Sequence, residues 1–239
     1  MALVAVAGIT CAMVLLSLGE ESELPRPVTT VKPRTVNAGA IDVKLTPAPS
    51  PNPVRAKRSP IDWRPSLAVG EPFAGRLIRG VQLPPQGRDW FTWDPIKRRS
   101  PNRGWRRWGT DELLRVVLRV GREFRAANPG APRLTIGDIS RPRGGDFGPQ
   151  FGYIGHASHQ NGLDIDIYYP RTDRVERAPT SVAQIDMPLA QDLVDRFVAE
   201  GAEFVFVGPS TPLTGPSGVV QALAHHDNHI HVRLPNPVR

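Results

Sequence analysis

Gly155-His156-Ala157-Ser158-His159-Gln160-Asn161-Gly162-Leu163-Asp164-Ile165-Asp166-Ile167 begins as a polar loop and ends as a strand. Leu163, Ile165 and Ile167 alternate with Asp164 and Asp166, the period-two pattern of a half-buried strand. Both carboxylates then project from one face, about 7 Å apart along the strand. His159 stands seven positions before Asp166, an odd spacing that would oppose the two on a straight strand. The chain must turn between them, and Gly162 is the residue able to take the conformation such a turn requires. The turn brings His159 back beside Asp166.

The six histidines fall in two clusters, His156 with His159, and His225, His226, His229 and His231. In the second, His229-Ile230-His231-Val232-Arg233-Leu234 alternates again, so His229 and His231 share one face while Ile230, Val232 and Leu234 point to a core. Neutral imidazole is the commonest metal ligand, and a histidine-carboxylate set without thiolate suits catalytic zinc. One face thus offers a metal ligand and a neighbouring imidazole free for proton transfer. A histidine-rich metal-scavenging tail would not need the alternation or its apolar partner face.

Outward from these strands, Thr110 caps a helix whose Leu113, Leu114, Val117, Val120 and Phe124 recur at helical spacing until Asn128-Pro129-Gly130 stops it. A second helix is expected over 188–200, and strands over 134–139, 163–168, 203–207 and 229–234. The elements do not alternate as regular βαβ units, which favours an α+β fold: a small antiparallel sheet carrying the site, flanked by helices.

Upstream, residues 2–18 form an uncharged apolar run, so 1–19 reads as a signal peptide or a membrane anchor. Residues 20–60 are rich in proline and basic side chains and read as a disordered linker, with a reach on the order of 100 Å if extended. The folded domain is placed at 61–239. The chain is expected to be exported to the periplasm or cell-wall space, with a membrane tether through residues 2–18 as the alternative to cleavage. A single cysteine, Cys11, excludes a disulfide framework and a thiolate zinc site. The net charge of +7 favours anionic surroundings. The Arg- and Trp-bearing stretch 97–108 carries a single-strand nucleic-acid signal, which the export signal outweighs; no nucleic-acid partner is expected.

His-x6-Asp followed much later by His-x-His resembles the signature of the lysostaphin-type, D-alanyl-D-alanine and hedgehog-like zinc domains. The closer resemblance is to penicillin-insensitive murein endopeptidases, carried by Ile136-Gly137-Asp138-Ile139, by GHASHQNGLDIDI at 155–167 and by HDNHIHVRL at 226–234, with further similarity at 75–84 and 102–118. It covers residues 70–235. It implies one Zn²⁺ held by His159, Asp166 and His231, a further metal-associated histidine at His156, and catalytic roles for His226 and His229 in either order. A second metal is compatible with the family, but its ligands do not align in this chain. The domain at 61–239 is then a zinc metallopeptidase acting on peptidoglycan peptides, an endopeptidase for D-alanyl–meso-diaminopimelyl cross-links. A D,D-carboxypeptidase and a non-catalytic hedgehog-like wall-binding module are the alternatives. Asp164 is expected either to orient a ligand or to stand as an exposed strand carboxylate, and Arg141, Arg143 and Arg233 are candidate partners for substrate carboxylates. The sequence has no Ser-x-x-Lys with a downstream Lys-Thr-Gly, so no acyl-enzyme route competes and insensitivity to penicillin is expected.

Overall fold

The computed structural model describes residues 61–148 and 156–237. The leader and linker expected over 1–60 lie outside the described residues, and no helix among the described residues is long and apolar enough to cross a membrane.

The chain opens with an antiparallel hairpin, β1 (Leu67–Glu71) and β2 (Ala74–Ile78), whose tip exposes Phe73. Short strands β3 (Val81–Gln82), β4 (Trp90–Thr92) and β5 (Trp108–Gly109) follow. Next comes α1 (Asp111–Ala127), its N-terminus capped by the Thr110 hydroxyl accepting from the Leu113 amide. The chain continues through β6 (Leu134–Ile136), β7 (Asp164–Tyr168), α2 (Met187–Ala199), β8 (Phe204–Val207), β9 (Val220–Ala222) and β10 (His229–Arg233). Asp186 caps α2 through the Leu189 amide.

Both expected helices and all four expected strands are present within a few residues of their expected bounds. The sheet, however, is a six-stranded mixed sheet in the order β4-β6-β7-β10-β8-β9 rather than a small antiparallel one. Its centre is antiparallel, but β4 runs parallel to β6 and β9 parallel to β8. The cause is the connections: α1 carries the chain from β4 to β6, and a long loop carries it from β8 to β9. Crossovers of that length return a strand in the same direction. The missed strands, β1–β5 and β9, are short or exposed and lack the apolar runs that mark buried strands.

One face of the sheet is a dry layer. Leu134 and Ile136, Ile165 and Ile167, Val205 and Val207, and Ile230 and Val232 are all buried in one core with Leu113, Leu114, Val117, Val120 and Phe124 of α1 and Leu189, Leu193 and Phe197 of α2. The C-terminal end of α2 is tied to the middle of α1 by a two-pronged ion pair between Glu200 and Arg119, at 2.6 and 2.5 Å. With the apolar alternates committed to the helices, the polar alternates of β7 and β10 are forced onto the opposite face. Register completes the placement: His231 lies directly opposite Asp166, His229 opposite Tyr168, and Arg233 opposite Asp164.

Tyr169 ties the end of β7 to the turn after β8, its buried hydroxyl accepting a hydrogen bond from the Gly208 amide at 3.2 Å. Burial pushes the phenol up to about 12. Because the folded-state value is raised, the stabilisation is present below pH 10 and is lost as pH rises from 10 towards 12, a change of about 2–3 kcal/mol. Urea unfolding should show Tyr169→Phe less stable than the parent by about 1–3 kcal/mol at pH 9, with the gap closing at pH 11.5. A gap independent of pH would show that the phenol is not what couples the two strands.

Candidate functional site

Asp166 is the centre of the polar face, 4% exposed. Its Oδ1 lies 3.2 Å from His231 Nδ1, 3.3 Å from His159 Nε2 and 3.7 Å from His229 Nε2. His159 Nε2 and His231 Nδ1 are themselves 3.2 Å apart. Asp166 Oδ2 faces His156 Nδ1 at 3.7 Å. The turn that returns His159 to Asp166 uses Gly162, with φ 81°, as expected from the sequence. His159 also stands in the left-handed region, with φ 67°, a strained conformation for a non-glycine residue. At Gly162 a Cβ would also lie 2.9 Å from a Leu77 methyl.

The outer nitrogen of each histidine is committed, and this decides what the inner one presents. His159 Nδ1 donates to the Ile139 carbonyl at 2.6 Å, leaving Nε2 with a lone pair. His231 Nε2 donates to Asp164 at 2.7 Å, leaving Nδ1 bare, and Arg233 Nε holds the same carboxylate oxygen at 2.8 Å. Asp164 therefore orients His231, as the first of the two expectations has it. His156 Nε2 donates to Asp138 at 2.8 Å, which turns Nδ1 towards Asp166. His229 Nδ1 donates to Asn228 Oδ1 at 2.7 Å, and His226 Nδ1 donates to the Ala224 carbonyl at 2.8 Å.

Three acceptors, His159 Nε2, His231 Nδ1 and Asp166 Oδ1, thus converge, and Asp166 Oδ1 is buried without a hydrogen-bond partner. Their spacing of 3.2–3.3 Å matches the edge of about 3.3 Å in a tetrahedron with metal–ligand bonds of about 2.0–2.1 Å. Facing lone pairs repel unless positive charge lies between them. Without a metal a proton takes that place: burial would lower His231, but the hydrogen bond to Asp164 and the charge of Asp166 hold it at about 9. Burial alone would raise Asp166, but His159, His156 and His229 hold it well below the usual carboxylate range. Burial pushes His229 down to about 4 and also lowers His226, so both imidazoles are neutral at pH 7. The donor set fits a divalent cation. Besides the three convergent atoms, His156, His159 and Asp166 also bring ligand atoms within 4.8 Å of one another.

All five histidines named as site residues meet here. His225, read as a surface residue, stays at the exposed rim. Residues that the sequence reading gave no role support the site from behind. Asp138, 1% exposed, accepts from Asn102 at 2.9 Å and is gripped by both arms of Arg106, which is 0% exposed. Burial alone would raise Asp138; the hydrogen bonds from His156 and Arg106 lower it to about 2. Asp138 carried a sequence signal, a carboxylate between apolar residues in Ile136-Gly137-Asp138-Ile139. Arg106 carried none, being one basic residue in a basic stretch. Only its second half is folded in: Arg103 pairs with buried Asp94 at 2.8 Å, Arg107 donates to the Leu83 carbonyl, and the Arg103 and Arg106 guanidiniums each lie 5.0 Å from the Trp105 ring, while Lys97, Arg98 and Arg99 are exposed. Of the arginines considered for substrate carboxylates, Arg233 is engaged by Asp164, Arg141 donates to the Asp146 carbonyl, and Arg143 is exposed.

Among the clefts that border the cluster, two differ in character. One, of about 490 Å³, is walled by Phe73, Phe206 and Leu223 and reaches His156, His226 and His231. The other, of about 240 Å³, is lined by Trp93, Arg98, Tyr168, Thr180 and Asn228. The Tyr168 and His229 rings are 5.7 Å apart, so the second cleft adjoins His229.

The family described as penicillin-insensitive murein endopeptidase matches residues 68–202. Among curated proteins, a penicillin-insensitive murein endopeptidase of Haemophilus influenzae is 34% identical over 121 residues, covering 46% of this chain and 37% of the relative. One from Escherichia coli O1:K1 is 36% identical over 129 residues, covering 54% of this chain and 40% of the relative. The chain therefore covers well under half the length of these relatives. The matched family span ends before His226, His229 and His231; their place beside His159 and Asp166 comes from the fold.

Two measurements check the site. After dialysis against zinc, elemental analysis should give bound metal in the parent chain and loss in His231→Ala and in Asp166→Asn, with affinity weakened about 10–100-fold in Asp164→Asn. Metal retained when the side chains of His159, Asp166 and His231 are all removed would dismiss the assignment. Arg106→Met leaves Asp138 buried without its cation and should lower unfolding stability by about 3–5 kcal/mol, read by urea titration.

Proposed function

This chain belongs to the penicillin-insensitive murein endopeptidase family, and on that premise we propose that it is a zinc-dependent endopeptidase. It hydrolyses peptide cross-links of peptidoglycan, of the D-alanyl–meso-diaminopimelyl type, in the periplasm or cell-wall space. The observation that carries this reading is the convergence of His159 Nε2, His231 Nδ1 and Asp166 Oδ1 at 3.2–3.3 Å beside open clefts.

His159, Asp166 and His231 would hold zinc, with His156 and Asp166 Oδ2 beside it for a second ion. When bound, zinc supplies the Lewis acidity that activates water and polarises an amide carbonyl. The protein does the rest with its imidazoles. His229, with Nε2 bare and 3.7 Å from Asp166 Oδ1, is placed to take the proton of the attacking water. His226, its ring 4.7 Å from that of His229 and at the cleft wall, is placed to return a proton to the departing amine. The carbonyl carbon gains the water oxygen as the C–N bond breaks, and the proton taken by His229 is the one that reaches the departing amine through His226, so both histidines end the turnover neutral, as they began it. Asn228 and Ala224 fix which nitrogen each presents.

Separate clefts, one reaching His156, His226 and His231 and the other bordered by Tyr168 and Asn228 next to His229, suit a chain that continues past the scissile bond, which favours an endopeptidase over a carboxypeptidase. Penicillin acts by acylating a serine, whereas the nucleophile in this reading is water.

Mass spectrometry of muropeptide dimers should show conversion to monomers, unaffected by penicillin and abolished by chelator. Release of terminal D-alanine alone would make the protein a carboxypeptidase, and unchanged dimers with metal bound would leave a binding module. His229→Ala should keep its metal while losing about 10²–10⁴-fold in kcat. Full activity in that variant would remove His229 from the proton transfer.

A further inference from the structure

Arg98 stands apart from the other arginines around the site. Arg103, Arg106, Arg107 and Arg233 are engaged by carboxylates or carbonyls. Arg98 has no ion-pair or hydrogen-bond partner among the described residues and lines the smaller cleft with Trp93, Tyr168, Thr180 and Asn228. Among the described residues, no carboxylate lines that cleft. It adjoins the histidines directly, since Asn228 holds His229 Nδ1 at 2.7 Å and Tyr168 lies opposite His229 in the sheet.

The loop that presents Arg98 is built rather than slack. Buried Asp94 accepts from the amides of Ile96 and Lys97 at 2.9 and 3.0 Å, pairs with Arg103, and its own amide donates to the Arg99 carbonyl at 2.8 Å. Within that clasp Arg98 takes φ 48°, a left-handed conformation uncommon outside glycine. Backbone held in such a region at the edge of a site is a signature of pre-organisation. The larger cleft has the opposite character: its walls are Phe73, Phe206 and Leu223, and its arginine, Arg233, is already held by Asp164. The two sides of the site therefore differ in what they can receive. The apolar side suits an alanyl methyl, and the Arg98 side suits a residue carrying an anion.

We propose that Arg98 forms a carboxylate-binding subsite in this cleft, recognising the free carboxylate of the diamino-acid residue next to the scissile bond. The proposal rests on the endopeptidase reading for the identity of that residue, while the recognition chemistry is the fork of a guanidinium on a carboxylate.

The test compares muropeptide dimers whose diaminopimelyl carboxylate is free with dimers in which it is amidated. The zinc-loaded full chain is used, with kcat/KM by chromatography and binding by calorimetry. The parent should prefer the free carboxylate by about 10–100-fold. Arg98→Gln should bring the free-carboxylate substrate down to the level of the amidated one, and Arg98→Lys should keep part of the preference. Indifference of the parent to amidation, or a preference that survives in Arg98→Gln, would overturn the subsite. If neither dimer is cleaved, the calorimetric preference still decides it. A preference lost in Arg98→Gln keeps the subsite and removes the endopeptidase reading, whereas equal or absent binding of both dimers overturns the subsite itself.

Discussion

A carboxylate taken out of water has to find positive charge or donors close by, and Asp166 imposes that requirement on everything around it. It is 4% exposed, at the middle of the central strand of the sheet. His231 answers from the neighbouring strand, directly opposite in register, and His159 answers from a turn that places one non-glycine residue in the left-handed region. The apolar alternates of the same strands depend on that register too. Ile167 must face Ile230, and Ile165 must face Val232, to fill the core beneath the helices. A slip of one residue would expose the aliphatic layer and scatter the histidines together. Core and site therefore specify one arrangement jointly.

Behind the inner atoms lies a set of commitments that decides how each imidazole is presented. Ile139, Asp164, Asp138, Asn228 and Ala224 each occupy one nitrogen of a different histidine. Partners of this kind fix tautomer and ring orientation before any ligand arrives. Arg106 and Arg233 then keep Asp138 and Asp164 supplied with donors, so two ion pairs, one fully buried and one part-buried, act as the frame of the cluster. Much of the basic charge near the site is spent in this way, and Arg98 remains outside it. In a chain with a net charge of +7, the basic, tryptophan-bearing stretch is thereby divided, with Arg103, Arg106 and Arg107 engaged and Lys97, Arg98 and Arg99 exposed.

The sequence by itself determined the strands and helices whose side chains repeat. Period-two alternation in 163–168 and 229–234 and helical spacing after Thr110 are local consequences of backbone geometry, and each places its residues on a face without reference to the rest of the chain. The same alternation brought Asp166 and His231 into consideration, and the odd spacing from His159 demanded a turn at Gly162. What only the tertiary structure decided are relations between segments far apart in the chain. These include the parallel edges of the sheet, set by the path of α1 and of the long loop after β8. They include the burial of Arg106 against Asp138, thirty-two residues away, which a basic run cannot announce because exposed and buried arginines are written alike. They include also the two unlike clefts, whose walls come from the β1–β2 hairpin, the Asp94 loop and the residues before β10. Periodicity reports which face a residue occupies, but what stands opposite that face is fixed by packing.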